Sequence, residues 1–347
     1  RSTLSPSSAA SDVYKRQEIS PVVTKSHEET CKTLAESGLK ADVIAHIRAL
    51  ESDIDVALRC GVRWVAMYLA FSDIHLANKL HLTREQALDR AVSAIDYAKA
   101  HGLRLRFTIE DSSRVEPSFL QKICRTLEEA GADRIGITDT VGVMRPSGMY
   151  NLVKTAREVV RVPLDVHCHN DLGLALANSL AGLEAGANQV HVAVNGIGER
   201  VGITTLAEFV MAVTLLYGVK LRVRYEMLRE ISETVASYTG IPIHDLAPVV
   251  GANAFRHKSG THIAAILRNP EAYEPFPPEL VGATRRVVFS DAIGKHGAAL
   301  LLNLLGLETS EESVLTVVKK IKELNKGELF ELELTEEMVD RIKRMRD

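Results

Sequence analysis

The chain has no cysteine pairs, no long apolar run and no excess of one charge sign, and each shortage removes a class of protein. Its four cysteines, Cys31, Cys60, Cys124 and Cys168, are scattered through 347 residues without CxxC spacing. That pattern argues against a disulfide framework or a cysteine-held zinc and leaves buried free thiols as the expectation. No stretch reaches the roughly 20 uncharged apolar residues of a membrane span, and the N-terminus lacks the apolar core of a secretory signal. A cytoplasmic protein with no membrane partner is therefore expected. The formal net charge is only −3, so no basic surface calls for a nucleic-acid partner. What is present, 46% hydrophobic and 25% charged residues, is enough apolar material for a globular core.

Residues 1–17, RSTLSPSSAASDVYKRQ, are Ser-rich and aperiodic, and regular patterning begins abruptly at Glu18. They read as a non-native, artefact-like tail standing where natural sequence has been lost. From Glu18 onward one theme repeats every 25–40 residues or so: a short β-branched run, then an amphipathic helical segment. Strand candidates are Asp42–His46, Trp64–Leu69, Leu103–Ile109, Arg134–Thr138, Leu164–His169 and Gln189–Val194, with Glu18–Ser20 as the tail of another. Among the helices, Arg84–Ala100 has the clearest signals. Thr83 and Gln86 spell a capping box, Leu88, Ala91, Val92, Ile95 and Ala98 make one apolar stripe, and Gly102 closes it. Further helices are expected over Gly148–Val160, after Pro146, and over Leu172–Ala185, after Asn170 and Asp171.

Strict alternation of strand and helix implies a parallel sheet. Seven strands are one short of closure, so the expected fold is an α/β (β/α)8 TIM barrel lacking its first βα unit, spanning 18–219. Beyond it, residues 220–347 read as a linker and mostly helical subdomains: Arg224–Ser237, Glu312–Leu324 and Thr335–Arg346, interrupted by the Pro-rich stretch Pro270–Pro278.

The densest local signal is LDVHCHND. His167 and His169, two apart on a strand, face the same side, at the strand end that carries chemistry in such a barrel. Two imidazoles there can hold a divalent ion that polarises a carbonyl oxygen; a hydrogen-bonded core pair is the plain alternative. Next comes NGIGERVG, Asn195 to Gly202, whose glycines permit tight turns and close ligand approach while Glu199 and Arg200 put opposite charges at the mouth. Its spacing to the next helix is wrong for a dinucleotide fingerprint. Other strand ends repeat the polar pattern: His46 and Arg48; Thr108, Glu110 and Asp111; Asp139 and Thr140. Each alone reads as a cap or turn residue, but together they favour one shared polar site.

HCHND, TDTVG, GIGERVGIT and the later HKSGTH and NPEAY, taken together, resemble the metallolyase-type barrels that include homocitrate synthase, 2-isopropylmalate synthase and citramalate synthase. The resemblance covers about 18 through 305 and makes 18–219 the catalytic barrel. It implies that His167 and His169 are metal ligands for Mg, Mn, Zn or Co, and that an acidic third ligand and an arginine belong to the missing first strand. It also implies that His46, Thr108, Glu110, Thr140, Glu199 and Arg200 line the substrate pocket. His262 and Tyr273 would be acid/base groups lent by a partner subunit, in a homodimer whose sites are completed in trans.

The implied reaction joins acetyl-CoA to a 2-oxo acid. His262, assisted by Tyr273, removes a methyl proton, with Glu110 as second choice; the enolate attacks the 2-oxo carbonyl and the thioester is hydrolysed. Gly202-Ile203-Thr204 and the HIR of His46–Arg48 resemble homocitrate synthases and favour 2-oxoglutarate. SDIHLANKL, Ser72 to Leu80, lacks the arginine many of them place there and resembles 2-isopropylmalate synthases, which take 2-oxoisovalerate. Against that resemblance the tail is shorter than the leucine-sensing domain common in 2-isopropylmalate synthases, so feedback control through such a domain is not expected. Of a different class, an inactive or binding module and a metal-dependent C–C lyase stay open, and without its first strand the chain is expected to be nearly inactive.

Overall fold

The computed structural model describes residues 16–324 and 328–344. Most of the expected tail, residues 1–15, lies outside the described residues, whereas Arg16 and Gln17 already belong to the first strand. The chain divides into two compact units, one ending at Val223 and one beginning at Arg224.

In the first unit, strands β1 (Arg16–Ile19), β2 (Asp42–Arg48), β3 (Trp64–Ala70), β4 (Arg104–Glu110), β5 (Arg134–Asp139), β6 (Leu164–Cys168) and β7 (Gln189–Val190) form one sheet in chain order. Every pairing is parallel. The intervening helices are α1 (Lys25–Glu36), α2 (Glu51–Arg59), α3 (Arg84–Ala100), α4 (Pro117–Glu129), α5 (Pro146–Arg157) and α6 (Ala175–Glu184), and α7 (Leu206–Tyr217) follows β7. The sheet curls far enough for Arg16 of β1 to donate to the Gln189 side chain of β7 at 3.1 Å. No eighth strand fills the seam among the described residues, where a cavity of about 470 Å³ is lined by β1 on one side and by β7 and its continuation on the other.

The helices form where the sequence signals them. Thr83 and Gln86 close both halves of the capping box at α3, and Leu88, Ala91, Ile95 and Ala98 are buried. α4 starts on Pro117, with Glu116 accepting from the Ser118 and Phe119 amides, and buries Phe119, Leu120, Ile123, Cys124 and Leu127. Pro fits the first helical turn because its missing N–H has no partner there anyway. All four cysteines are free and buried, and burial pushes the Cys124 and Cys168 thiols up to about 12.

Two strand ends differ from expectation. Regular pairing in β6 stops at Cys168, and His169 instead makes an isolated antiparallel bridge to Ile203. β7 is only two residues long, and beyond it Ala193 makes one isolated parallel bridge to Thr205.

The second unit holds helices α8 (Leu228–Thr239), α9 (Gly260–Ile266), α10 (Lys295–Leu305), α11 (Glu311–Lys322) and α12 (Glu336–Arg344). It also contains a three-stranded sheet of β8 (Arg256–His257), β9 (Arg286–Phe289) and β10 (Phe330–Glu333), in the order β10-β9-β8. The sequence reading missed this sheet because runs of two to four residues carry no usable alternation. Its central Val287 and Phe289 pack into a core with Ile263, Leu301, Leu304 and Ile321.

Candidate active site

The period of two in β4, β5 and β6 projects polar side chains inward, where a barrel interior is normally apolar. Register places Arg106 beside Arg134, Thr108 beside Gly136, Gly136 in turn beside Asp165, and Thr138 beside His167. His167 and His169 do converge: their Nε2 atoms are 3.3 Å apart. On its other edge, His167 Nδ1 meets His191 Nδ1 at 3.2 Å. His191 Nε2 in turn lies 2.8 Å from an Arg106 guanidinium nitrogen and 3.5 Å from Asp165 Oδ2.

Arg106, 3% exposed, also donates to Glu18 and to the Thr108 hydroxyl at 3.2 Å. Asp165, fully buried, takes the Arg134 guanidinium through both oxygens. Burial alone would raise the Asp165 carboxyl, but the hydrogen bond from His191 and the charge of Arg134 hold it below the usual range. Burial, then the neighbouring His191 and His169, push His167 well below an ordinary imidazole. His169 is lowered by burial and then by Arg200. Both rings are therefore neutral, the form that binds a metal.

The remaining expected residues are placed by specific contacts. His46 stacks on Tyr68 with ring centroids 4.8 Å apart, its Nδ1 3.4 Å from Glu18 Oε2. The Thr140 hydroxyl accepts from the Asp111 amide at 2.8 Å. Glu110 is held by Lys79, whose ammonium donates to both carboxylate oxygens at 2.7 and 2.9 Å. Lys79 sits on a π-helical turn, Leu76–Leu80. Arg200 does not face Glu199: it forks onto Asp171 at 2.7 and 2.8 Å and donates to the Thr140 carbonyl, while Glu199 is exposed. Asp139 and Asp111 proved to be the plainer kind. Asp139 caps the Val143 and Met144 amides, and Asp111 accepts from Ser72 and Arg114. Gly202 is required by geometry, since a Cβ there would lie 1.7 Å from the Gly196 carbonyl oxygen, at φ +84°.

Sequence reasoning missed Glu18, Arg106, Asp165, His191 and Lys79. A signal existed for three of them: Arg106, Asp165 and His191 interrupt apolar strand runs, and Asp165 sits two residues before His167 and so shares its face.

The donor set fits a divalent ion. Two neutral imidazoles present their Nε2 atoms to one point, while His169 Nδ1 is buried without a hydrogen-bond partner. Among the described residues no group of three His, Cys, Asp or Glu is placed to hold a metal, so this pair leaves most coordination positions open.

In the second unit, His262 of α9 stacks on Tyr273, centroids 3.9 Å apart and planes 22° from parallel. The next residue, Glu274, is buried and accepts from Arg285 at 2.7 and 2.6 Å, with His257 Nε2 at 3.1 Å. Among the described residues no helix is long and apolar enough to cross a membrane.

Comparison with known proteins places the chain. The HMGL-like family matches residues 16–235, and the homocitrate synthase post-HMGL domain-like family matches 249–328. Homocitrate synthase AksA of Methanopyrus kandleri is 45% identical over 304 residues, covering 88% of this chain and 77% of that protein. A 2-isopropylmalate synthase of Methanocaldococcus jannaschii is 42% identical over 308 residues, covering 88% and 60%. Among solved structures, the HMG-CoA lyase of Bacillus subtilis aligns with a TM-score of 0.60 at 17% identity, over 66% of this chain and 83% of that one, a likeness of fold. The chain therefore belongs to the HMGL-like family, among the homologues of homocitrate synthase and 2-isopropylmalate synthase.

Proposed function

We propose that the chain is an acyl-CoA:2-oxo acid C-acyltransferase that condenses acetyl-CoA with 2-oxoglutarate to give homocitrate. The observation that carries the reading is the convergence of His167 and His169 Nε2 at the end of β6, in a chain 45% identical to a homocitrate synthase. His167 and His169 would hold the divalent ion, which when bound makes a 2-oxo carbonyl electrophilic and offsets negative charge as it develops. Arg106, paired with Glu18, lies against His191, which in turn touches His167, and donates to Thr108. Thr108, Thr140, His46, Glu199 and Arg200 would orient that substrate. His262, stacked on Tyr273, removes the acetyl methyl proton; the ion pair with Lys79 leaves Glu110 less free for that task. The carbanion attacks the 2-oxo carbonyl, and hydrolysis of the thioester releases free CoA.

In this reading His167 and His262 of one working site come from two subunits of a homodimer in the cytoplasm. Relatives bearing both names match at 42–45% identity, so 2-isopropylmalate synthase, with 2-oxoisovalerate, is the second reading. The test is release of CoA thiol from acetyl-CoA by the full-length protein, with a divalent metal, against a panel of 2-oxo acids. Preference for 2-oxoglutarate supports the proposal, preference for 2-oxoisovalerate transfers it to the second reading, and no thiol release with any 2-oxo acid ends both.

A further inference from the structure

His262 and Tyr273 meet on an open side of the second unit. Tyr273 is 48% exposed and His262 half-buried, yet the rings stack with centroids 3.9 Å apart. Contact between two rings so open to water gains little more than ordering them costs. The backbone beneath must therefore already be fixed. The residue after Tyr273 supplies that fixing. Glu274 is buried, and its two carboxylate oxygens accept from the Arg285 guanidinium at 2.7 and 2.6 Å, with His257 Nε2 3.1 Å from one of them. Burial alone would raise the Glu274 carboxyl, but the hydrogen bonds from His257 and Arg285 hold it below its ordinary range. An ionised carboxylate can only accept, so all three contacts are charge-assisted hydrogen bonds to one buried anion.

Where these groups sit along the chain gives them their effect. His257 ends β8, and Glu274 lies 17 positions later, just past the turn Pro270–Ala272. Between them come α9, which carries His262, and the turn that leads into Tyr273. His257 and Glu274 thus close the neck of a single loop that bears both rings. Arg285, one residue before β9, ties that neck to the small sheet, where its carbonyl accepts from the Leu334 amide and the next amide donates to the Phe255 carbonyl, both at 2.9 Å. Just outside the neck, Phe255 and Phe276 meet edge to face with centroids 5.4 Å apart, an apolar contact that does not depend on the charges. We propose that Glu274 is a positioning residue for the acid/base pair: gripped by Arg285 and His257, it holds the neck of the loop so that His262 and Tyr273 stay stacked and act as one unit. The inference rests on the acid/base reading of that pair.

The test reads the stack itself in the 347-residue chain. An imidazole proton lying over a tyrosine ring is displaced upfield. With 13C-labelled histidine, the His262 signal, assigned by its loss in His262→Gln, should therefore sit upfield of its position in Tyr273→Leu. Glu274→Gln keeps the shape of the side chain but turns an NH2 group toward a guanidinium, and should remove at least half of that displacement. His257→Phe keeps a ring and the fork between Glu274 and Arg285, and should remove a smaller part. Leu304→Ala, which empties a fully buried core position of the same unit, should lower the melting temperature and leave the displacement whole. Full displacement in Glu274→Gln, or in His257→Phe where Glu274→Gln does not fold, overturns the proposal, and so does an equal loss in Leu304→Ala. In the full-length protein, Glu274→Gln should lower kcat for CoA-thiol release about 100-fold, as misplacing a reacting group does, with KM for the 2-oxo acid unchanged. A kcat equal to the parent's overturns the positioning role. The acid/base reading fails separately. If full-length His262→Ala releases CoA at the parent rate, that reading is lost, while the His262 signals still decide what Glu274 holds in place.

Discussion

Replacing Asp165 by asparagine keeps the shape of the side chain and changes the charge balance of the barrel interior. Glu18, Arg106, Asp165 and Arg134 form a group of two anions and two cations, and the substitution leaves it with a net charge of +1. Asp165 is fully buried and Arg106 and Arg134 are 3% and 7% exposed, so water does little to screen the loss. Arg106 keeps Glu18, but Arg134 loses its bidentate partner. Removing one member of a buried pair costs about 3–5 kcal/mol, because an uncompensated charge is left behind. Set against a urea dependence of about 2 kcal/mol per molar, the midpoint of unfolding at pH 7 should fall by roughly 1.5–2.5 M. The carboxyl is held below its ordinary range, so its contribution is fully present above about pH 4 and is lost only as pH falls through the lowered value. The cost of Asp165→Asn should therefore be the same at pH 7 and pH 5. Adding Arg134→Met should restore at least half of it, since the orphaned cation goes too. A single variant within about 1 kcal/mol of the parent, or a double variant as unstable as the sum of its parts, would refute this account of the interior charges.

Three further outcomes are expected. Because the folded state keeps His167 and His169 neutral while the unfolded chain takes up protons near pH 6.5, stability should fall as pH drops below that value, by up to about 1.4 kcal/mol per pH unit for each ring; urea titrations from pH 7.5 to 5.5 measure the slope, and His167→Gln should flatten it. Gly202→Ala should destabilise far more than Gly218→Ala in thermal melts: both have positive φ, but the Cβ meets the Gly196 carbonyl only at the first, with nothing within 4 Å at the second. Mixing full-length His167→Ala subunits with His262→Ala subunits should restore part of the activity that each lacks; no recovery in verified heterodimers would place the whole site in one chain.

How far the sequence could be read depended on the length over which a pattern repeats. The alternating strand and helix theme from Glu18 to Tyr217 spans many turns of the same period, and β2 through β6 came out within a few residues of expectation. The capping box at Thr83 is a two-residue code with one physical meaning, and it is present. β7 lies where a strand was expected but is four residues shorter than the candidate Gln189–Val194, and the sheet of the second unit was beyond reach because pairing there is set by partners distant in sequence: Arg256–His257 is a strand only because Arg286–Val287 lies beside it. The same limit applies to the site. His167 and His169 announce themselves by proximity in sequence, whereas His191 enters through a contact 24 residues away and Arg106 through one of 85. Arg200 shows the same limit: sequence places its charge at the mouth, and only the fold shows that it forks onto Asp171, 29 residues away.

The order of the sheet has a consequence for how the first unit assembles. Each strand pairs with the one made just before it, so β2 through β7 can be added one at a time as the chain lengthens, each step closing a loop of only a few dozen residues. The contact between Arg16 and Gln189 is of another kind, because it closes a loop of 173 residues. Bringing those ends together from a flexible chain costs about 5 kcal/mol in entropy, and one side-chain hydrogen bond returns about 1 kcal/mol. The seam therefore forms last, held by the stacked units rather than by its own bond, and it is the first place to open. His191, one residue beyond β7, lies at that seam, and so does its contact with the His167 ring.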